Sequence, residues 1–246
     1  MGMETVCYEE LTPRVFRERL TAAPIAYVPL GTLEWHGEHL PLGSDGLQSR
    51  GFFIELAREV GGVVLPMLFL GPDFRQEYEG RPYYGMDVYS FSDGIPRRLE
   101  GSAYWVEQEF YEAMLDRIVA QLVRAGFRIL VGHGHAPSVQ AWLGRKIEWE
   151  AHYGVKVFAC WREDESDGLG IQTDHAAANE TSLVMALRPD LVEMNGLDPD
   201  PAVQPLGIGG DDPRIHASPE KGRKAIDMQR ARMAAMLRDV LRQVRV

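Results

Sequence analysis

The chain has 246 residues, 45% hydrophobic and 25% charged, an ordinary globular balance that excludes a disordered reading. Its length suits one large α/β domain or two small ones. A formal net charge of −10 argues against nucleic-acid and anionic-membrane partners, since both reward clustered Lys and Arg.

Cys7 and Cys160 have no spacing that implies a zinc knuckle or redox pair. A chain of this size without a disulfide framework reads as intracellular. The N-terminus lacks the basic and apolar regions of a signal peptide, and no apolar run approaches the roughly 20 residues that cross a bilayer. We expect a cytoplasmic protein that binds no membrane and no nucleic acid.

Taken in chain order, Ile25 to Leu30 is a short apolar run between Pro24 and Gly31 and predicts a buried strand. Leu47 to Val60 predicts a helix, with Ser44 or Asp45 as N-cap. Val63 to Leu70 predicts a second strand that Pro66 pushes to an edge or ends early. Residues Gly71 to Gly101 are polar, aromatic and rich in Gly and Pro, with no period, and a stretch of that length is usually functional.

Ala103 to Ala125 predicts a helix, with Val106, Phe110, Met114, Ile118 and Leu122 at four-residue steps and Gly126 as its stop. Arg128 to Val131 begins a strand, Pro137 to Tyr153 predicts a helix and Val155 to Trp161 another strand. Glu180 to Leu187 predicts a short helix stopped before Pro189, and Pro219 to Val244 a long one with proline at a favoured early position. Alternating strands and helices predict an α/β fold, its parallel or mixed sheet covered on both faces. In such folds functional loops gather at the carboxyl ends of strands.

Three polar constellations fall where chemistry would need them. Glu34, His36, Glu38, His39 and Asp45 follow the first strand; Glu34 and His36, two apart, share a side of extended backbone. Gly37, Pro41 and Gly43 permit turns that bring Asp45 back to them. Imidazole with carboxylate suits zinc, manganese or iron, and one carboxylate can bridge two ions. The second group is Gly132-His133-Gly134-His135, two alternating histidines at a strand tip. The third runs from Asp174 to Ser182: small residues beside His175 leave space for a ligand. Read locally, Glu180 is a helix-start acid with Asn179 as cap. No Gly-x-Ser-x-Gly elbow is present, and Gly207 to Asp212 lacks the Lys and Ser/Thr of a phosphate loop.

Together these residues resemble the creatininase (creatinine amidohydrolase) family. Residues 31–45 match every fixed position of its Gly-x-x-Glu-x-His-Gly-x-His-Leu-Pro-Leu-Gly-x-Asp signature, residues 174–192 look like its second block, and residues 210–222 are similar to its third with one extra residue. The resemblance runs over essentially the whole chain. It implies a single domain over residues 1–246 with a three-layer α/β/α fold, two divalent metal ions (Zn²⁺ or Mn²⁺, with Fe²⁺ admitted), a small-molecule amide substrate, and a homo-oligomer, a hexamer in many relatives.

Carried over by position, the resemblance gives Glu34, Asp45 and His133 to one metal. It gives His36, Asp45 and Glu180 to the other, with Asp45 bridging. One departure stands out: the family commonly reads Asn-Gly-His-Gly-Gly-Asn where this chain reads Val131-Gly132-His133-Gly134-His135-Ala136. Creatininase itself has a metal-binding glutamate at the position of His135, so His135 either replaces Glu180 at the second metal or faces substrate. An aromatic residue that creatininase carries is Ile171 here, which together with the segment 71–105 implies a different substrate pocket.

The expected reaction is hydrolysis of a C–N bond in a cyclic amide or related small amide by metal-activated water. His175, matching the family's catalytic histidine, is expected to shuttle the proton to the leaving nitrogen, with Asp174 placed to orient it. Glu180 is counted with His175 in the catalytic group as well as among the ligands. The alternatives are a formamide hydrolase or peptide-trimming member of the same family, or a non-catalytic relative that binds a small ligand.

Overall fold

The computed structural model describes residues 5–90, 94–160 and 168–244. Helix α1 (Pro13–Ala22) opens with Pro13 at its first position, and its Thr12 cap accepts from the Val15 backbone N. Strand β1 (Ile25–Leu30) has the predicted bounds and is buried on both faces. Helix α2 (Ser44–Val60) starts earlier than expected: Gly43 is its cap residue, so Ser44 and Asp45 lie within the first turn rather than capping it. Strand β2 is only Val63–Val64, ended just before Pro66, which has no N–H to give a ladder.

The aperiodic segment forms two small antiparallel hairpins, β3 (Arg75–Tyr78) with β4 (Arg81–Tyr84) and β5 (Val88–Ser90) with β6 (Pro96–Arg98). Helix α3 spans Gln108–Ala125, so the predicted start at Ala103 is corrected. Residues before it make isolated bridges instead, with Tyr104 at φ +61° between them: Ala103 N donates to Leu33 O at 2.8 Å and Val106 N to Gly71 O at 3.1 Å. Its core face is Tyr111, Leu115, Val119 and Leu122, while Phe110 from the predicted stripe is 56% exposed. Two adjacent rows of this helix are apolar, and periodicity alone did not choose between them.

Strand β7 (Ile129–Gly134) is followed by α4 (Ala136–Gly144) and α5 (Lys146–Tyr153). The single helix predicted over Pro137–Tyr153 is thus broken at Gly144-Arg145, where Arg145 turns to pair with Asp116 of α3 at 2.8 Å. Strand β8 covers Lys156–Phe158; Trp161, at the end of the predicted strand, lies outside the described residues. Helix α6 (Ala178–Leu187) stops before Pro189 as expected, a short α7 (Pro213–His216) follows, and α8 (Pro219–Val244) has the predicted bounds.

The four main strands form a wholly parallel sheet in the order β2-β1-β7-β8. Side chains alternate between its faces. Ile25, Tyr27, Ile129 and Val131 pack with Phe52, Phe53, Leu56, Leu183, Met233 and Leu237 of α2, α6 and α8. Ala26, Val28, Leu30 and Leu130 pack with Tyr111, Leu115, Val119, Trp142 and Trp149 of α3, α4 and α5. Each fully buried side chain of this kind is worth about 1.5–3 kcal/mol relative to exposure, which makes the sheet the rigid part of the molecule. The result is the expected α/β/α sandwich.

The chain leaves β1 toward β2 on one side and returns to β7 on the other. Such a reversal opens a crevice at the carboxyl ends of the two strands. Because Leu30 pairs with Gly134, both strands end at the same height, and the loops beginning at Gly31 and His135 emerge side by side. Among the described residues, no helix is long and apolar enough to cross a membrane.

Candidate metal centre

The loop from Gly31 to Gly43 is held at both ends of its first turn: Glu34 N donates to Leu42 O at 3.0 Å, and Trp35 Nε1 to Leu206 O at 3.1 Å. It turns the Glu34 and His36 side chains inward, 4% and 0% exposed as residues, while Glu38 points to solvent. His39 is also buried, but its Nε2 meets Thr181 Oγ1 at 2.8 Å, so it ties the loop to α6. Burial and nearby His36 push the His39 pKa down to about 4.

Asp45 arrives from the second position of α2, where the positive end of the helix favours an acid. Its Oδ1 lies 3.4 Å from His36 Nε2 and its Oδ2 3.1 Å from His135 Nδ1. Glu180, in the first turn of α6, brings Oε2 to 3.6 Å from His36 Nε2, and Glu34 brings Oε1 to 3.2 Å from His135 Nδ1. His36 Nδ1 donates to the Glu34 carbonyl at 3.2 Å, which leaves Nε2 facing the carboxylates.

The two histidines at the end of β7 part company. His133, still in the strand, faces the α2–α8 side, where its Nε2 meets Ile171 O at 3.2 Å. Burial lowers its pKa to about 4. Strand alternation would send His135 the same way. Gly134, at φ +145°, breaks the alternation and lets the chain hug β1, with His135 N donating to Leu30 O at 2.7 Å. A Cβ at Gly134 would sit 1.7 Å from that carbonyl oxygen, so glycine is required. His135 therefore joins Glu34 and Asp45, whereas His133 does not.

Around His175 the geometry differs from expectation. Asp174 does not touch the imidazole: its two oxygens accept from the backbone N–H groups of Asn179 and Glu180 at 2.7 and 3.0 Å, so it caps α6. Asn179, read as that cap, instead ties down the preceding loop through Gly168 O, Gly170 O and Thr173 N. The His175 ring donates from Nε2 to Trp35 O at 2.9 Å and lies 4.5 Å, centroid to centroid, from the ring of His36. Burial, followed by His36, holds its pKa below the ordinary histidine value, so it rests neutral with Nδ1 as the basic nitrogen.

Two further residues complete the site. Gln172 donates from Nε2 to Asp45 Oδ1 at 3.0 Å, and Ser49 Oγ bonds its Oε1 at 2.8 Å, fixing the Asp45 carboxylate. Asp73 sets Oδ2 3.4 Å from His135 Nε2. The sequence carried no signal for either, since both sit in loops whose partners are remote in the chain.

The residues present fit a cation. Candidate ligand atoms lie within 4.8 Å of one another in the sets His36–Asp45–Glu180, Glu34–Asp73–His135 and Glu34–His36–His175. Buried carboxylates at this density must be neutralised. In the protein alone, protons do that work. Against burial, the Asp45, Glu180 and Glu34 carboxylates raise the His36 pKa to about 10, and those of Glu34, Asp45 and Asp73 hold His135 well above the histidine range. Burial and the Asp45 charge hold Glu180 well above the usual carboxylate value, while the two imidazoles overcome burial to hold Asp45 well below it. Held protons where ligands converge are what a metal displaces.

Comparison with known proteins bears on the family and the fold. The chain is 25% identical over 223 residues to the creatinine amidohydrolase of Pseudomonas putida, an alignment covering 82% of this chain and 80% of that protein. A crystal structure of creatininase superposes with a TM-score of 0.72 at 22% identity, covering 97% of this chain and 98% of the other. A manganese form of creatininase gives a TM-score of 0.69 at 23% identity over 97% and 99% of the two chains, and a creatininase variant of the zinc–zinc type shares the fold. Residues 9–237 match the model of the creatinine amidohydrolase family, and the chain belongs to that family.

Proposed function

We propose that this protein is a metal-dependent amidohydrolase that cleaves the C–N bond of a cyclic amide or related small amide. The observation that carries the reading is Asp45, whose Oδ1 faces His36 and whose Oδ2 faces His135, both buried. Glu34, Asp45 and His135 would hold one divalent ion, and His36, Asp45 and Glu180 the other. In this assignment His135 takes the place that the resemblance gave to His133, and Glu180 keeps its own. Imidazole–carboxylate sets of this kind suit zinc or manganese, the metals of the similar creatininases, and admit iron.

When bound, such ions supply a Lewis acid and make hydroxide available near neutral pH. The chain's own residues do the rest. His175, neutral and with Nδ1 basic, takes a proton and returns it to the leaving nitrogen. The Trp35 carbonyl fixes its tautomer. Glu180, whose Oε2 accepts from the Ala176 N–H at 2.8 Å, is counted with His175 in the catalytic group. Glu34 faces a small cavity of about 80 Å³ whose walls include Asp73, Tyr84, Asp87 and Trp105, and this is where substrate selection would be made.

The same reading makes the protein cytoplasmic, in keeping with its two buried thiols, and a homo-oligomer, a hexamer by family resemblance. The test is metal content per chain after purification without added metal, for wild type and Asp45→Ala, with turnover on a panel of cyclic amides and formamides. Bound zinc, manganese or iron that disappears in the variant, together with turnover, supports the proposal. Metal without turnover on any amide turns the reading to a ligand-binding protein, and no metal after reconstitution ends it.

A further inference from the structure

We propose that Asp73 is a positioning residue for His135: it fixes the imidazole so that Nδ1 faces Glu34 and Asp45, and thereby sets the affinity of that half of the centre. The inference rests on the metal-dependent reading above and adds a residue to it.

A neutral imidazole offers a lone pair from one nitrogen and a proton from the other, and the group that takes the proton decides which is which. His36 solves this locally by donating Nδ1–H to the carbonyl of Glu34, two residues back. His135 has no such neighbour, because its Nδ1 is the nitrogen turned toward Glu34 and Asp45, at 3.2 and 3.1 Å. Its Nε2 points away from the centre, buried and outside hydrogen-bonding geometry with any described residue. The acceptor that faces it is Asp73 Oδ2 at 3.4 Å. Histidine ligands regularly give their second N–H to a carboxylate in this way, and losing that partner commonly costs 10–100-fold in metal affinity.

Asp73 is built for the task. Its Oδ1 accepts from Phe74 N at 2.7 Å, and its carbonyl accepts from Trp105 Nε1 at 3.1 Å, which leaves Oδ2 for His135. Trp105 is itself held by stacking on Tyr84 at 3.7 Å and 20°. Gly85, at φ +49°, leaves the space: a Cβ there would lie 1.9 Å from Asp73 Oδ2. The side chain is only 13% exposed. The hairpin segment thus has a place in the centre as well as in the pocket wall.

The experiment is competition for Zn²⁺ and Mn²⁺ against a chromophoric chelator, with wild type, Asp73→Ala and Asp73→Asn. Asparagine keeps an oxygen acceptor and alanine does not. We expect Asp73→Ala to bind one of its two ions about 10–100-fold more weakly and the other as wild type does, with Asp73→Asn recovering most of the loss. If Asp73→Ala is too unstable to titrate, Asp73→Leu, similar in size and lacking an acceptor, gives the same comparison. Unchanged affinity in the alanine or leucine variant overturns the inference. So does an asparagine variant as weak as the alanine one, which would make Asp73 a ligand. Wild-type protein that binds neither ion overturns the metal reading itself, a separate result.

Discussion

Asp45 Oδ2 lies 3.1 Å from Nδ1 of His135, a residue 90 positions away in the chain. The contact joins the first turn of α2 to the exit of β7, and it places the remaining oxygen of Asp45 toward His36. One carboxylate therefore reaches both histidines; the proposed assignment puts Glu180 with His36 and Glu34 with His135, and a Glu34 oxygen also lies within 4.8 Å of His36 and His175.

That division predicts separable losses. Glu34→Gln should weaken the ion on the His135 side, and Glu180→Gln the ion on the His36 side, each leaving about one ion per chain where ligand loss removes a buried charge. Elemental analysis after dialysis against a weak chelator reads this directly. If either variant lost both ions or neither, the two-site assignment would be wrong.

His175→Ala should keep its metal content and lose turnover by about 10²- to 10⁴-fold, the usual worth of a placed acid–base group. Because burial and His36 hold the His175 pKa below the ordinary histidine value, the neutral base persists below that pH. Wild-type turnover should accordingly hold as pH falls through the ordinary histidine range and drop only below it. The steady-state pH profile of the variant should lack that limb.

Loading metal should release protons. His36, raised to about 10, holds its proton at neutral pH in the metal-free chain, and His135 and Glu180 are both held well above their ordinary values. A metal needs the lone pairs, so these protons leave, and affinity should rise with pH. Titration calorimetry in two buffers of different ionisation enthalpy measures the number released. Heats independent of buffer would contradict the electrostatics of the site.

Gly222→Ala tests how the fold positions Glu180. Helices α6 and α8 cross so closely that a Cβ at Gly222 would sit 1.8 Å from Ser182 O, a backbone atom that cannot swing aside. Overpacking of this sort costs about 1–3 kcal/mol. The variant should unfold at lower urea and bind metal more weakly, because α6 carries Glu180. Wild-type stability would show that the helices can separate without cost.

The sequence by itself determined the sheet and its burial. Ile25–Leu30 is apolar at every position, which only a strand covered on both faces requires, and Pro219–Val244 carries its own start signal. Glu34, His36 and Asp45 stand together in the sequence as one polar group after β1, whereas Glu180 reads locally as a helix-start acid and joined them only through the family resemblance. Distances through space were not legible. That His135 rather than His133 meets Asp45 depends on one backbone angle at Gly134, which interrupts strand alternation. That Asp174 caps α6 and Asn179 ties the loop depends on which backbone N–H groups were left over once the helix formed. Asp73 and Gln172 reach the centre through partners remote in the chain, His135 and Asp45. Local spacing fixes a residue's face on its own element; packing of elements far apart in the chain decides what that face meets.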